Sequence, residues 1–126
     1  MATLANYDPP VKVDELRWEN ITVGDGETAL EHALITIHYT GALAENGEIF
    51  DSSQKTESAQ PVTFPLDNLI KGWQQGIPGM KVGGKRRLYI PYELGYGEHG
   101  SGPIPAKADL IFDIELFHAR GGGPKN

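Results

Sequence analysis

The sequence predicts an α+β domain: five to six strands in an antiparallel sheet, with one short helix covering a face. Three observations predict it. Short runs dense in β-branched and aromatic residues recur along the chain, separated by Gly, Pro and Asn turns. Helical periodicity appears once, between Leu66 and Ile77. The regular strand–helix–strand alternation that builds parallel sheets is missing. The 16 glycines and 9 prolines fit such a turn-rich architecture.

Each element follows from local chemistry. Residues 1–15, with Asp8-Pro9-Pro10 and scattered charge, read as an extended arm. Leu16-Arg17-Trp18-Glu19 starts an alternating strand that fades at the turn Gly24-Asp25-Gly26. Leu34 to Gly41 is a strand, and Asn46-Gly47 is a hairpin signal because both residue types tolerate positive φ. Glu48 to Ser53 returns as its partner, and the polar residues 54–60 form a loop. Val62-Thr63-Phe64 is a short strand that Pro65 stops. Leu69, Trp73 and Ile77 recur every four residues on one helical face, and Pro78-Gly79 end the helix. Gly72 and Gly76 cost roughly 1 kcal/mol each relative to alanine in a helix interior. This helix therefore needs tertiary packing, and its glycines leave room for a neighbouring backbone. Lys85 to Ile90 is a strand ended by Pro91, residues 91–106 are a Gly- and Pro-rich loop, and Leu110 to Phe117 is the clearest strand. Gly121-Gly122-Gly123-Pro124 reads as a frayed tail.

Composition narrows the function classes. The chain has 126 residues, enough for one domain with a real core. Cysteine is absent, which excludes disulfides, thiolate nucleophiles and zinc–thiolate sites. The net charge is −6, and residues 1–32 carry seven acids against two bases, so the acidity is concentrated at the N-terminal end. No nucleic-acid footprint is visible. The one basic cluster, Lys81, Lys85, Arg86 and Arg87, reads as solvated strand-edge charge. No apolar stretch reaches the ~20 residues a membrane helix needs, and the N-terminus lacks the basic start and apolar run of a signal peptide. The expectation is a cytoplasmic monomer without metal, cofactor, nucleic-acid or membrane partner.

Several motif matches fail on context. Gly95-Tyr96-Gly97-Glu98-His99-Gly100 fits the dinucleotide pattern, but Gly102-Pro103-Ile104-Pro105 follows where a helix must open. Ser52-Ser53-Gln54-Lys55 fits Ser-x-x-Lys without the further motifs of that chemistry. Asn20-Ile21-Thr22 is a glycosylation sequon by chance. His32, His38, His99 and His118 lack metal-ligand spacing. No serine has the acid and histidine setting of a nucleophilic triad.

What remains is a set of aromatics in unusual company: Tyr39 before Thr40-Gly41, Phe50 before Asp51, Trp73 after Gly72, Tyr96 between glycines, Phe112 beside Asp113. Judged singly, Tyr39, Phe50, Trp73 and Phe112 read as core and Tyr96 as a loop residue. Asp51, a carboxylate on a strand directly after Phe50, must be paired or partly wet. Gathered together they would wall a small-molecule or peptide pocket.

The ordered motifs His38-Tyr39-Thr40-Gly41, Phe50-Asp51-Ser52-Ser53, Ile70-Lys71-Gly72-Trp73, Gly76-Ile77 with Gly79-Met80 and Val82-Gly83, Ile90-Pro91 with Leu94-Gly95-Tyr96-Gly97, and Ile104-Pro105 with Leu110-Ile111-Phe112-Asp113 are similar to those of the FKBP-type peptidyl-prolyl cis/trans isomerases. The resemblance covers residues 16–118, leaving 1–15 as an arm and 119–126 as a flexible tail. It implies a curved antiparallel sheet wrapped on a short helix. It implies isomerisation of X–Pro bonds in proline-containing peptides or unfolded proteins, assisting their folding, with binding of FK506- or rapamycin-type macrolides. The implied catalytic residues are Asp51, Tyr96, Phe112 and Tyr39. The implied binding set adds Phe50, Val62, Leu69, Ile70, Trp73 and Ile104, with Trp73 as the floor. The Ile70 N–H and Tyr96 hydroxyl would donate to a bound carbonyl. Three places depart from the family pattern: Val62 where a second aromatic is common, the loop 98–103, and Glu31-His32 where a glycine is common. The alternative is a module that binds proline segments or macrolides with little turnover.

Overall fold

A computed structural model of the chain describes residues 2–7, 12–54 and 58–123. Asp8-Pro9-Pro10 of the expected arm, Lys55 of the Ser-x-x-Lys match and Pro124 of the expected tail lie outside the described residues. Six strands make one curved antiparallel sheet: β1 (Arg17–Thr22), β2 (Leu34–Leu43), β3 (Ile49–Ser52), β4 (Val62–Pro65), β5 (Lys85–Ile90) and β6 (Leu110–Arg120). The spatial order is β1-β5-β6-β2-β3, with β4 also on β2. Two short strands thus share one edge of β2: β4 pairs with Leu34–Ile37 and β3 with Thr40–Ala42. The hairpin between β2 and β3 turns at Gly47, whose φ of 74° explains the Asn-Gly signal.

The expected helix from Leu66 to Ile77 is shorter and broken. Leu66–Asn68 is a single 3-10 turn, Leu69 and Ile70 are extended, and the α-helix α1 runs only Lys71–Gly76. Gly72 and Gly76 do allow close approach, but side chains fill the space. A β-carbon on Gly72 would lie 2.6 Å from an Ile90 methyl, and one on Gly76 would lie 3.0 Å from Leu88. The helix therefore seats its glycine face on β5.

Alternation along the strands sends side chains to two faces. Ile35, Ile37, Leu88, Ile90, Leu110, Phe112, Ile114 and Leu116 form the main core with Trp73 and Ile77. On the outer face Ala42, Ala44 and Ile111 pack with Leu4 and Val13. Residues 2–7 are accordingly docked on the sheet. Thr3 bridges to Glu48, Leu4 N–H donates to the Gly47 carbonyl at 2.8 Å, and the Tyr7 hydroxyl donates to the Ala44 carbonyl.

The reading of Arg86 and Arg87 as solvated edge charge is overturned. β5 lies between β1 and β6, so it is not an edge, and both arginines are 6% exposed. Arg86 donates to Asn20 Oδ1 and to the Gly76 carbonyl, each at 2.8 Å, and its guanidinium lies under the Trp18 ring. It thereby satisfies one of the orphan carbonyls at the end of α1 and ties the helix to the sheet. Burial holds the Arg86 pKa below its ordinary value. Arg87 makes a bidentate pair with Asp113, at 2.6 and 2.8 Å, and also donates to the Ala5 and Asn6 carbonyls.

The turn before β2 places His32 in the left-handed region. Its φ is +67°, a left-handed conformation that costs a residue with a β-carbon of order 1 kcal/mol. A 2.6 Å hydrogen bond from His32 Nδ1 to Asp67 Oδ1 offsets that strain and ties the turn before β2 to the segment preceding α1.

Candidate functional site

The concave face of the sheet, the broken segment before α1 and the loop after β5 enclose a cavity of about 240 Å³. Tyr39, Phe50, Asn68, Leu69, Ile70, Trp73, Tyr96 and Phe112 line it. Two larger hollows exist. One of about 290 Å³ lies beside residues 3–5 on the outer face, with Lys85, Asp113 and Glu115 in its wall. Another of about 600 Å³ lies between Leu43–Glu45 and Pro105–Asp109. The smaller cavity is singled out by chemistry, because five aromatic side chains converge on it.

Four of those rings hold one another edge to face, the arrangement their quadrupoles favour. Trp73 meets Phe112 at 5.0 Å and 87°, Phe50 meets Phe112 at 5.6 Å and 89°, and Tyr39 meets Trp73 at 5.4 Å and 67°. Phe112 and Tyr39 come from β6 and β2, Phe50 from β3, Trp73 from α1 and Tyr96 from the loop after β5. Gly41 makes this packing possible. It lies beneath the Phe112 and Phe50 rings, 2.5 and 2.8 Å from where its missing β-carbon would be. The indole N–H of Trp73 is buried and, among the described residues, has no hydrogen-bond partner.

One carboxylate adjoins the cavity through Tyr39. Asp51 accepts the Tyr39 hydroxyl at 2.8 Å through Oδ2 and the Ser52 N–H at 2.9 Å through Oδ1. The carboxylate is therefore paired, as its half-buried position requires. Tyr39 is pushed up from 10.0 to about 12, first by burial and then by its bond to the Asp51 carboxylate and the negative charge there. Tyr96 is raised by burial and by the same charge. Ile70, extended at φ −60° and ψ 153°, is the N-cap of α1, and among the described residues its own N–H has no protein partner.

The Tyr39 shift has a direct consequence. A proton held more tightly in the folded than in the unfolded chain adds stability that is complete below about pH 10 and lost as pH rises through about 12. The Tyr39–Asp51 bond should therefore survive at pH 10–11, where ordinary phenols ionise. Ultraviolet titration of tyrosinate checks this: Tyr39→Phe should remove a phenol that titrates near 12. Loss of one that titrates near 10 would contradict the geometry.

Of the residues implied by the resemblance, Tyr39, Phe50, Leu69, Ile70, Trp73, Tyr96 and Phe112 line one cavity, and Asp51 joins it through Tyr39. Val62 and Ile104 do not line it. Val62 pairs with Ile37 on the β2 edge and packs partly buried against the core, and Ile104 is 6% exposed within that core. Asn68 is a wall residue that sequence reasoning missed. It falls in the stretch read as helix, in the 3-10 turn that precedes the break at Leu69-Ile70. The 98–103 loop is a built turn: Gly100 has φ +73°, and Ser101 and Ile104 exchange two backbone hydrogen bonds. A β-carbon on Gly100 would meet the Ile104 carbonyl oxygen at 2.2 Å, so only glycine fits there.

Comparison with known proteins gives a consistent result. Residues 25–117 match the family model described as FKBP-type peptidyl-prolyl cis-trans isomerase. The FK506-binding protein of Neisseria meningitidis serogroup B is 50% identical over 100 residues, which is 79% of this chain and 91% of that protein. A probable FK506-binding protein of Corynebacterium glutamicum is 46% identical over 106 residues, covering 84% of this chain and 88% of the relative. The crystal structure of a peptidyl-prolyl cis-trans isomerase from Pseudomonas syringae pv. tomato superposes with a TM-score of 0.76 at 34% identity, over 90% of this chain and 84% of that one. Six antiparallel strands curved over one short helix, an aromatic cavity between them and a match across most of the sequence lead to one conclusion: the chain belongs to the FKBP-type peptidyl-prolyl cis-trans isomerase family.

Proposed function

We propose that the aromatic cavity accelerates rotation about X–Pro bonds in peptides and unfolded chains, so that the protein assists their folding, and that it also accepts FK506- or rapamycin-type macrolides. One observation carries the reading: an aromatic-walled cavity lined by Tyr96 and by Ile70, whose N–H has no partner among the described residues, beside a tyrosine–aspartate pair. The chemistry needs little more. Partial double-bond character sets a barrier of ~18–20 kcal/mol for peptide rotation. Rotation breaks no covalent bond and moves no proton. A site lowers the barrier by favouring the twisted amide, whose C–N resonance is reduced. Apolar walls strip the water that stabilises the polar planar amide, a term of order a few kcal/mol. A thousandfold acceleration needs about 4 kcal/mol of such differential stabilisation.

Each residue then has a task. Trp73 and Phe112 hold the proline ring, and Tyr39 and Phe50 close the sides. The Ile70 N–H and the Tyr96 hydroxyl donate to substrate carbonyls. Asp51, already bonded to Tyr39, orients that phenol and polarises the rim, and it transfers no proton.

Exchange of short X–Pro peptides, with and without macrolide, tests the proposal. Faster cis-to-trans exchange that macrolide abolishes is expected. Tyr96→Phe and Asp51→Ala should each lower kcat/KM roughly tenfold, the effect of about 1.4 kcal/mol of transition-state stabilisation. Either variant folded and fully active would remove that residue from the mechanism. Peptide binding without faster exchange would make the protein a binding module.

A further inference from the structure

The ladder along β2 has a gap beside the pocket. On the edge away from β6, β4 pairs with Leu34–Ile37 and β3 with Thr40–Ala42, so His38 and Tyr39 fall between the two strands. Ser53, just past the end of β3, fills the gap at Tyr39. Its N–H donates to the Tyr39 carbonyl at 2.9 Å, and its Oγ accepts the Tyr39 N–H at 2.8 Å. The same Oγ lies 2.8 Å from Nδ1 of the buried His38. One side chain thus completes the backbone pairing of the residue whose phenol reaches Asp51.

We infer that Ser53 is a positioning residue for isomerisation: it holds the Tyr39 peptide so that the phenol meets Asp51 and the ring stands against Trp73. The inference rests on the function proposed above. A hydroxyl can accept two hydrogen bonds and donate one. Where Nδ1 is bare, the Ser53 proton goes to it. Where Nδ1 carries the proton, Nδ1–H donates to Oγ, and the Ser53 proton turns to the Tyr39 carbonyl 3.3 Å away. The Tyr39 N–H keeps its acceptor in both cases. The clamp therefore belongs to Ser53 and not to His38. Alanine at position 53 leaves a half-buried N–H without a partner, and such a group re-pairs by moving. A small tilt of the peptide is magnified at the phenol oxygen, several bonds away.

The test uses a Trp18→Phe background, in which emission reports Trp73 alone; Trp18 is exposed and stacks on Arg86 away from the cavity. Ser53→Ala should lower kcat roughly fivefold with KM little changed, as for an interaction realised in the transition state. It should also shift Trp73 emission and speed amide exchange at Tyr39. Ser53→Thr, which keeps the hydroxyl, should restore all three readouts. In a Tyr39→Phe background, Ser53→Ala should lower kcat by clearly less, because the phenol it positions is gone and only the ring remains. A Ser53→Ala protein with parental kcat, or an equal loss in both backgrounds, overturns the inference. If the parent shows no isomerase activity, the proposed function fails. Trp73 emission and Tyr39 amide exchange then decide the clamp by themselves: unchanged values in Ser53→Ala refute it.

Discussion

Replacing Arg87 with methionine is expected to destabilise the fold by about 3–5 kcal/mol, the usual consequence of removing one partner of a buried ion pair. Arg87 is 6% exposed and uses three of its nitrogens: two on Asp113, with Nη2 shared with the Ala5 carbonyl, and Nη1 on the Asn6 carbonyl. Methionine keeps the apolar stem but strands the Asp113 carboxylate, whose side chain is 12% exposed. It also frees the two carbonyls that hold residues 2–7 against the outer face. For a domain with a total stability of about 5–15 kcal/mol, that is a large fraction. Urea unfolding measures it as a lower midpoint. The double variant Arg87→Met with Asp113→Leu should recover most of the loss, because no charge is left unpaired. A solvated edge arginine would change stability by no more than about 0.5 kcal/mol. A loss that small would contradict the burial described here.

The difference between those two expectations shows where sequence reasoning stops. Alternation within a strand is local, so Lys85 to Ile90 reads as a strand from its own residues. Which strands flank it is set by pairings across tens of residues: β1 and β6 meet it from opposite ends of the chain. An arginine pair in such a strand cannot be told from edge charge without that order. The helix fails for a related reason. Leu69, Trp73 and Ile77 have helical spacing, yet Leu69 is extended, and α1 begins only after Ile70. Glycine at 72 and 76 makes the segment too weak to fix its own ends, so packing on Ile90 and Leu88 fixes them. The outer-face cluster was also invisible, because Ala42 and Ala44 are too small to mark a hydrophobic face.

The aromatic cavity occupies a middle ground. Tyr39, Phe50, Trp73, Tyr96 and Phe112 come from five separate segments, and no periodicity links them. Only their order in the chain, through its likeness to one family, grouped them before the structure brought them together around one space. Asn68 escaped that grouping because it lies outside the motifs that carry the likeness. Val62 and Ile104 pack with the same core as Trp73 and Phe112 but are not part of the cavity wall.

The largest effect on the cavity itself is expected from the smallest change, Gly41→Ala. The backbone there is not left-handed, so alanine is opposed by space alone. Its β-carbon would sit 2.5 Å from Phe112 Cε1 and 2.8 Å from Phe50 Cζ, both well inside van der Waals contact. Neither ring can yield alone. Phe112 is backed by Trp73 at 5.0 Å, and Phe50 stands edge-on to Phe112 at 5.6 Å. The displaced rings must move into the cavity of about 240 Å³, which is the space proposed for the proline ring. Overpacking of this kind costs about 1–3 kcal/mol of stability. Isomerase activity and macrolide affinity should fall by more, roughly tenfold to a hundredfold, since about 1.4–2.7 kcal/mol of fit is lost from a site of few contacts. Gly41→Ala combined with Phe112→Leu separates the two effects. Leucine makes room for the methyl and should recover stability, while the cavity, now without its central ring, stays inactive. Peptide exchange rates and urea midpoints on the three variants check both halves. Parental exchange rates in Gly41→Ala would mean that the walls of this cavity do not hold the reacting proline.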